Sequence, residues 1–307
     1  MQMLARAFSA LALALPAAAQ TWSKTFEGFN YYNAIAAEGD EAWAASGASL
    51  LHLASDGSIL GEYSVKPYAT DIQVGPNGRK ILCSSWGGWI ASYDAGFNLE
   101  WGWQVDPTGY WEYAHFYGLD VTADGGVIAV GNRWYDDVSY EDTWGELMLY
   151  RFAADGTPLW DLRLGDYADM KYTGGTDVEE LADGSFFFVG RGGFGPIMTC
   201  GQVSATGQLL WYDLVTGGNG WSPQVALLAG GDLMAIDGGV LVLRMSADGT
   251  VAWKQKLAGS QQFRGIAATS AGGAVLTGFT SRPDGQALDL LYVKLSAAGE
   301  IEWQGMQ

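Results

Sequence analysis

Apolar positions alternate with small or polar ones over short runs, and the three-to-four-residue spacing of an amphipathic helix is missing. The segments LDVTADGGVIAVG (119–131), DVEELADGSFFFVG (177–190) and IAATSAGGAVLTG (266–278) each read as two strands joined by a glycine turn. β-Branched and aromatic side chains fill these runs, as a pleated and half-buried surface favours. The pattern predicts short antiparallel strands and almost no helix.

A second line recurs beside the first. It is an apolar strand, a turn ending in glycine, and a strand that carries tryptophan. Copies are LHLASDGSILGEY (51–63), WIASYDAGFNLEW (89–101), MLYRFAADGTPLW (148–160) and TCGQVSATGQLLW (199–211). VLVLRMSADGTVAW (240–253) and LLYVKLSAAGEIEW (290–303) complete the set. The turn glycines Gly57, Gly96, Gly156, Gly207, Gly249 and Gly299 recur about every 40–60 residues, a period typical of solenoids and propellers. Pairing the two lines gives four strands per unit, a, b, c and d. Six such units predict a six-bladed β-propeller of four-stranded antiparallel blades over 20–307, its ring closed by the termini. The segment TWSKTF (21–26) reads as one further d strand. Seven blades are the alternative.

The repeat also assigns residues to structure. The aspartates of the turns, Asp56, Asp124, Asp155, Asp183 and Asp248, read as turn formers. Trp160, Trp211, Trp253 and Trp303 share one d-strand place and read as blade packing. The second unit has Trp101 one place late, and the first has Gly61. His52, Arg151, Arg244 and Lys294 recur five residues before the turn glycine, so His52 reads as structural.

The copies VSATGQLLW and MSADGTVAW resemble the PQQ-like repeat propellers of bacterial exported proteins. Those include quinoprotein dehydrogenases and an outer-membrane assembly lipoprotein. The resemblance covers all six units at the level of turn plus tryptophan and implies the fold. The chain has no adjacent cysteine pair and no lipidated cysteine, so no functional residue is carried over.

Residues 1–19 read as a secretory signal: Arg6, the apolar run Ala7 to Leu15, Pro16, then Ala17-Ala18-Ala19. The expected location is the periplasm or outside the cell. In an exported chain two cysteines invite a disulfide. Cys83 and Cys200, however, fall in the second and fourth units, too far apart to bridge, and are expected to be buried free thiols. Sixteen Lys and Arg against 34 Asp and Glu give a net charge of −18, which argues against a nucleic-acid partner. No mature stretch is long and apolar enough to insert into a membrane.

Strand alternation puts the d–a and b–c connections on one face, where the long insertions fall. One reads WQVDPTGYWEYAHFY (103–117) and another NRWYDDVSYEDTWG (132–145). Trp103, Tyr110, Trp111, Tyr113, Trp134, Tyr135, Asp136, Asp137, Tyr140, Asp142 and Trp144 form the candidate ligand platform, aromatic faces among acceptors. Asp136, Asp137, Glu141 and Asp142 are a candidate Ca²⁺ site; no other cofactor is expected. Asp71 and Asp177, with Asp120 and Glu179 two places on, are a second candidate centre in the ring's channel. His115 is a candidate general base.

Three functions remain open. The first is an exported, non-catalytic binding propeller for a glycan, peptide or protein partner. The others are a metal-assisted hydrolase or lactonase using the channel carboxylates, and a scaffold module of an envelope complex.

Overall fold

A computed structural model describes residues 34–46, 48–65, 68–106, 112–136, 143–165, 174–192, 197–218, 222–257, 261–281 and 288–306. The signal segment and the extra strand expected at 21–26 lie outside these residues. Six four-stranded antiparallel sheets, each meandering in sequence order, are arranged in a ring. The first blade is β1 (Ala34–Glu38), β2 (Glu41–Ser46), β3 (Ser49–Leu53) and β4 (Ile59–Ser64). The second is β5 (Ala69–Val74), β6 (Lys80–Ser84), β7 (Trp89–Tyr93) and β8 (Leu99–Gln104). The third is β9 (Glu112–Val121), β10 (Val127–Asp136), β11 (Thr143–Phe152) and β12 (Pro158–Leu164). The fourth is β13 (Gly174–Glu180), β14 (Phe186–Gly192), β15 (Ile197–Val203) and β16 (Leu209–Thr216). The fifth is β17 (Gln224–Leu227), β18 (Leu233–Ile236), β19 (Leu241–Met245) and β20 (Val251–Lys256). The sixth is β21 (Gln261–Ala268), β22 (Ala274–Ser281), β23 (Leu288–Leu295) and β24 (Ile301–Met306). Among the described residues the only helix is the short 3₁₀ turn Pro76–Gly78.

The core is a set of layers between blades. Ile81, Cys83 and Ile90 of the second blade pack on Phe116, Val127 and Phe152 of the third. Ile128 and Leu149 of the third pack on Phe186 and Phe188 of the fourth. Such side chains alternate along their strands with residues facing the opposite neighbour, so a middle strand is apolar on both sides. This explains runs such as Phe186-Phe187-Phe188, whose rings feed two different layers. Cys83 and Cys200 sit in separate layers as buried free thiols.

The repeated tryptophan has a more specific role than packing. Trp101 Nε1 donates to Ala154 O at 3.1 Å, in the c–d turn of the next blade. Trp160 donates to Ala205 O at 3.0 Å, Trp211 to Ala247 O at 3.1 Å, and Trp253 to Ala297 O at 3.1 Å. The same rings lie over the turn glycines. A Cβ on Gly207 would stand 2.8 Å from Trp160, and one on Gly249 3.1 Å from Trp211. Those glycines have φ of +84° and +85°, a conformation glycine adopts without steric cost. One contact therefore explains both repeated features. The turn needs glycine for its backbone and for the ring, and the ring belongs to the preceding blade.

The second unit shows the rule by its exception. Its left-handed residue is Phe97, at φ +63°, not Gly96. Phe97 N–H donates to Asp94 O as Gly156 N–H does to Ala153 O. Counted from Phe97, Trp101 occupies the same place as every other latch tryptophan, so the apparent shift is a misplaced turn residue. The preceding blade lacks the tryptophan and has Gly61. Phe97 takes up that space instead, stacked on Tyr93 at 4.5 Å and packed against Tyr63 and Trp43.

Candidate functional site

The channel is lined by the inner strands β1, β5, β9, β13, β17 and β21. Four of them carry a bulge near the d–a face, with Thr70, Tyr117, Thr176 and Arg264 as the extra residues. A bulge bends its strand and re-aims side chains. In the second and fourth blades the bulged threonine precedes the aligned aspartate. Thr70 Oγ1 donates to Phe116 O at 2.7 Å, and the carboxylate of Asp71 accepts from Ile72 N–H at 2.8 Å and Leu119 N–H at 3.0 Å. Thr176 Oγ1 donates to Pro223 O at 2.6 Å, and Asp177 accepts from Val178 N–H at 3.0 Å and Val225 N–H at 2.9 Å. Each Thr-Asp pair thus staples its inner strand to that of the next blade. Asp120 does the same from the third blade to Glu180 N–H of the fourth, at 2.9 Å.

Burial shapes the charge of these groups. Asp71 keeps a strip of accessible surface, but protein surrounds its carboxyl and pushes its pKa up to about 7. Burial raises Asp177 to about 8, with the neighbouring Asp71 and Asp120 adding repulsion. Asp120 and Glu179 move upward for the same first reason, loss of water. Asp71 and Asp177 therefore titrate near neutrality, with both oxygens of each engaged by backbone donors. Among the described residues no three His, Cys, Asp or Glu side chains are placed to hold a metal ion.

The histidines have structural partners. His52 stacks on Trp43 at 4.1 Å and pairs with Glu41 Oε2 at 2.6 Å. His115 Nδ1 donates to Ser85 O, and burial holds its pKa below the usual value.

The candidate platform divides. Strands β9, β10 and β11 run to ten residues each, so most of the segments expected as loops are strand, with β10 and β11 paired out to Asp136 and Thr143. Register sets Trp134 opposite Tyr113, and Tyr135 opposite Trp144. Tyr113 is exposed and Trp134 half-buried. Trp103 lies elsewhere: it belongs to β8 and packs on Tyr150 and Phe152, both at 5.0 Å, in the layer between blades two and three. Asp71 and Asp177 lie in β5 and β13; Asp136 ends β10. Tyr110, Trp111, Asp137, Tyr140, Glu141 and Asp142 lie outside the described residues.

Two exposed aromatics on this rim were not among the candidates. Tyr68 is 52% exposed and Trp86 68%, with ring centroids 6.3 Å apart. Tyr68 sits at the d–a connection and Trp86 in the b–c turn of the second blade, whose short loops drew no notice. The available signal was a tryptophan outside the latch place, followed by Gly87-Gly88.

No family model and no curated relative matches the chain. Solved structures do. A protein of unknown function from Bacteroides caccae is 12% identical, with a TM-score of 0.60 over 87% of this chain and 94% of that one. Virginiamycin B lyase from Staphylococcus aureus, an inactive variant with quinupristin, is 12% identical with a TM-score of 0.64 over 88% and 83%. BamB from Moraxella catarrhalis is 11% identical with a TM-score of 0.57 over 90% and 77%. The chain shares their fold. At these identities the likeness is one of architecture.

Proposed function

We propose that this protein is an exported, non-catalytic binding propeller that holds a protein partner on the d–a/b–c face of its second and third blades. The observation that carries the reading is the pair Tyr68 and Trp86, large aromatic rings left in water on a face where Tyr113 is also exposed. Exposed tryptophan and tyrosine are the side chains from which interface hot spots are most often built. The opposite face is consumed by tight turns and latches. Export rests on the sequence of residues 1–19. Among the described residues no helix is long and apolar enough to cross a membrane.

The neighbours include a lyase whose inactive form carries a histidine-to-alanine substitution. That chemistry finds no counterpart in the roles seen for the two histidines of this chain. His52 belongs to blade packing, and His115 spends Nδ1 on the turn bearing Trp86.

The test is affinity purification of the tagged full chain from the envelope of its source cell. A partner retained by the wild type and by Trp303→Ala on the outer rim, but lost from Tyr68→Ala/Trp86→Ala, supports the reading. Equal retention by all three contradicts it.

A further inference from the structure

The turn that displays Trp86 is held unusually firmly for a segment with an exposed ring. Trp86 N–H donates to Ser84 Oγ at 3.0 Å, and Val105 N–H donates to Gly88 O at 3.0 Å. His115 of the neighbouring blade fixes Ser85 O. Gly87 and Gly88 both have positive φ, +70° and +56°. A Cβ on Gly88 would stand 2.7 Å from both Ala114 and Val105, so the turn is wedged against its neighbours. A ring presented on a rigid support loses little conformational entropy on binding. The fold has fixed the position of Trp86 without using its ring as core.

Charge says what should arrive there. The chain carries 34 acidic against 16 basic residues. Asp106, exposed, follows Val105 directly beside the turn. A second copy of this chain would bring another −18 and be repelled. Tryptophan and tyrosine faces attract ammonium and guanidinium groups, tryptophan most strongly.

We infer that Trp86 and Tyr68 receive a lysine- or arginine-bearing segment of the protein partner, its cation over the rings and facing Asp106. This inference rests on the binding reading above and adds the chemistry of the partner.

The test uses labelled hexa-arginine and hexalysine, with hexaglutamate and a glycine-serine peptide as controls. Binding to the full chain is read by fluorescence anisotropy in about 150 mM salt, where exposed charges act over only about 8 Å. The expected result is binding of the two cationic peptides alone. Trp86→Ala should weaken it about tenfold, the size of one cation–π contact, while Trp303→Ala leaves it unchanged. Trp86→Ala should melt close to the wild type, since its ring is 68% exposed and meets only the exposed ring of Tyr68 among the described aromatic contacts. Equal weakening by both variants, or none by either, would show diffuse attraction to an acidic surface and overturn the assignment. Cationic peptides that bind no better than the neutral one would overturn it too. A partner that the purification above traces to Tyr68 and Trp86 would still uphold the binding reading in that case.

Discussion

The inter-blade latch makes a quantitative claim that a double-mutant cycle at Trp211 and Gly249 tests. Trp211 Nε1 donates both to Ala247 O at 3.1 Å and to Gln202 Oε1 at 2.9 Å, and its ring covers Gly249. The side chain is half-buried, which removes roughly 100 Å² of apolar surface from water and is worth about 2.5 kcal/mol. The hydrogen bond adds about 1 kcal/mol. The expected cost of Trp211→Ala is therefore about 3 kcal/mol or more, since Gln202 is buried and its Oε1 loses a donor. Gly249→Ala should cost about 1–2 kcal/mol for a side chain at φ +85°. To that is added the clash of its Cβ with the ring, at 3.1–3.2 Å from three ring atoms. In the Trp211→Ala background the clash is gone and only the backbone cost remains. The two losses should therefore sum to more than the double variant loses, by roughly 0.5–1.5 kcal/mol. Urea unfolding with a shared m-value measures all four corners. A Trp211→Ala loss below about 1 kcal/mol, or strict additivity, would refute the latch as the reason for the repeat.

Other predictions follow from the same geometry. Phe97→Gly relieves a strained φ but removes a ring from Trp43, Tyr63 and Tyr93, and should cost a net ~2 kcal/mol in urea unfolding. If it stabilises, Phe97 does not replace the missing tryptophan. Asp71 and Asp177 hold their protons more tightly folded than unfolded, at about 7 and about 8. Their stabilising contribution is complete below about pH 4 and is lost as pH rises through those values. The urea midpoint should fall between about pH 4 and about pH 8, the window those shifts define, and level off above it. Asp71→Asn/Asp177→Asn should be less stable but flatter; an equally steep decline would show that these groups do not titrate there. Cys83 and Cys200 should resist alkylation in the native protein, since burial raises both thiols, Cys200 to about 12. Mass spectrometry after unfolding should find two alkylated thiols, and a bridged pair would contradict the layer assignment.

The architecture was legible because the latch demands the same few residues in every unit. Glycine at the turn and tryptophan four places on are two halves of one contact, so they repeat together. Phe97 escaped notice because a glycine stood next to it, and residue type alone does not say which of two neighbours takes positive φ. The bulges at Thr70, Tyr117, Thr176 and Arg264 left no mark in the alternation, since an extra residue in a twisted inner strand costs only one paired position. Asp71, Asp120 and Asp177 lie in inner strands, and their binding to backbone N–H of the next blade is a tertiary fact that no local pattern carries. Trp103 looked like a rim residue because the end of β8 was set too early. Trp86 stands outside the long insertions, in a four-residue turn that displays a ring as well as a long loop does.

The central claim is that the d–a/b–c rim of blades two and three meets a protein partner. Site-specific photo-crosslinking in the living source cell tests it most directly, with the probe at position 86 or 113 on that rim, or at 155 or 248 in the opposite turns. The account predicts one discrete adduct, the same protein from 86 and 113, and none from 155 or 248. Adducts from the turn positions alone, or no preference among the four, would contradict it.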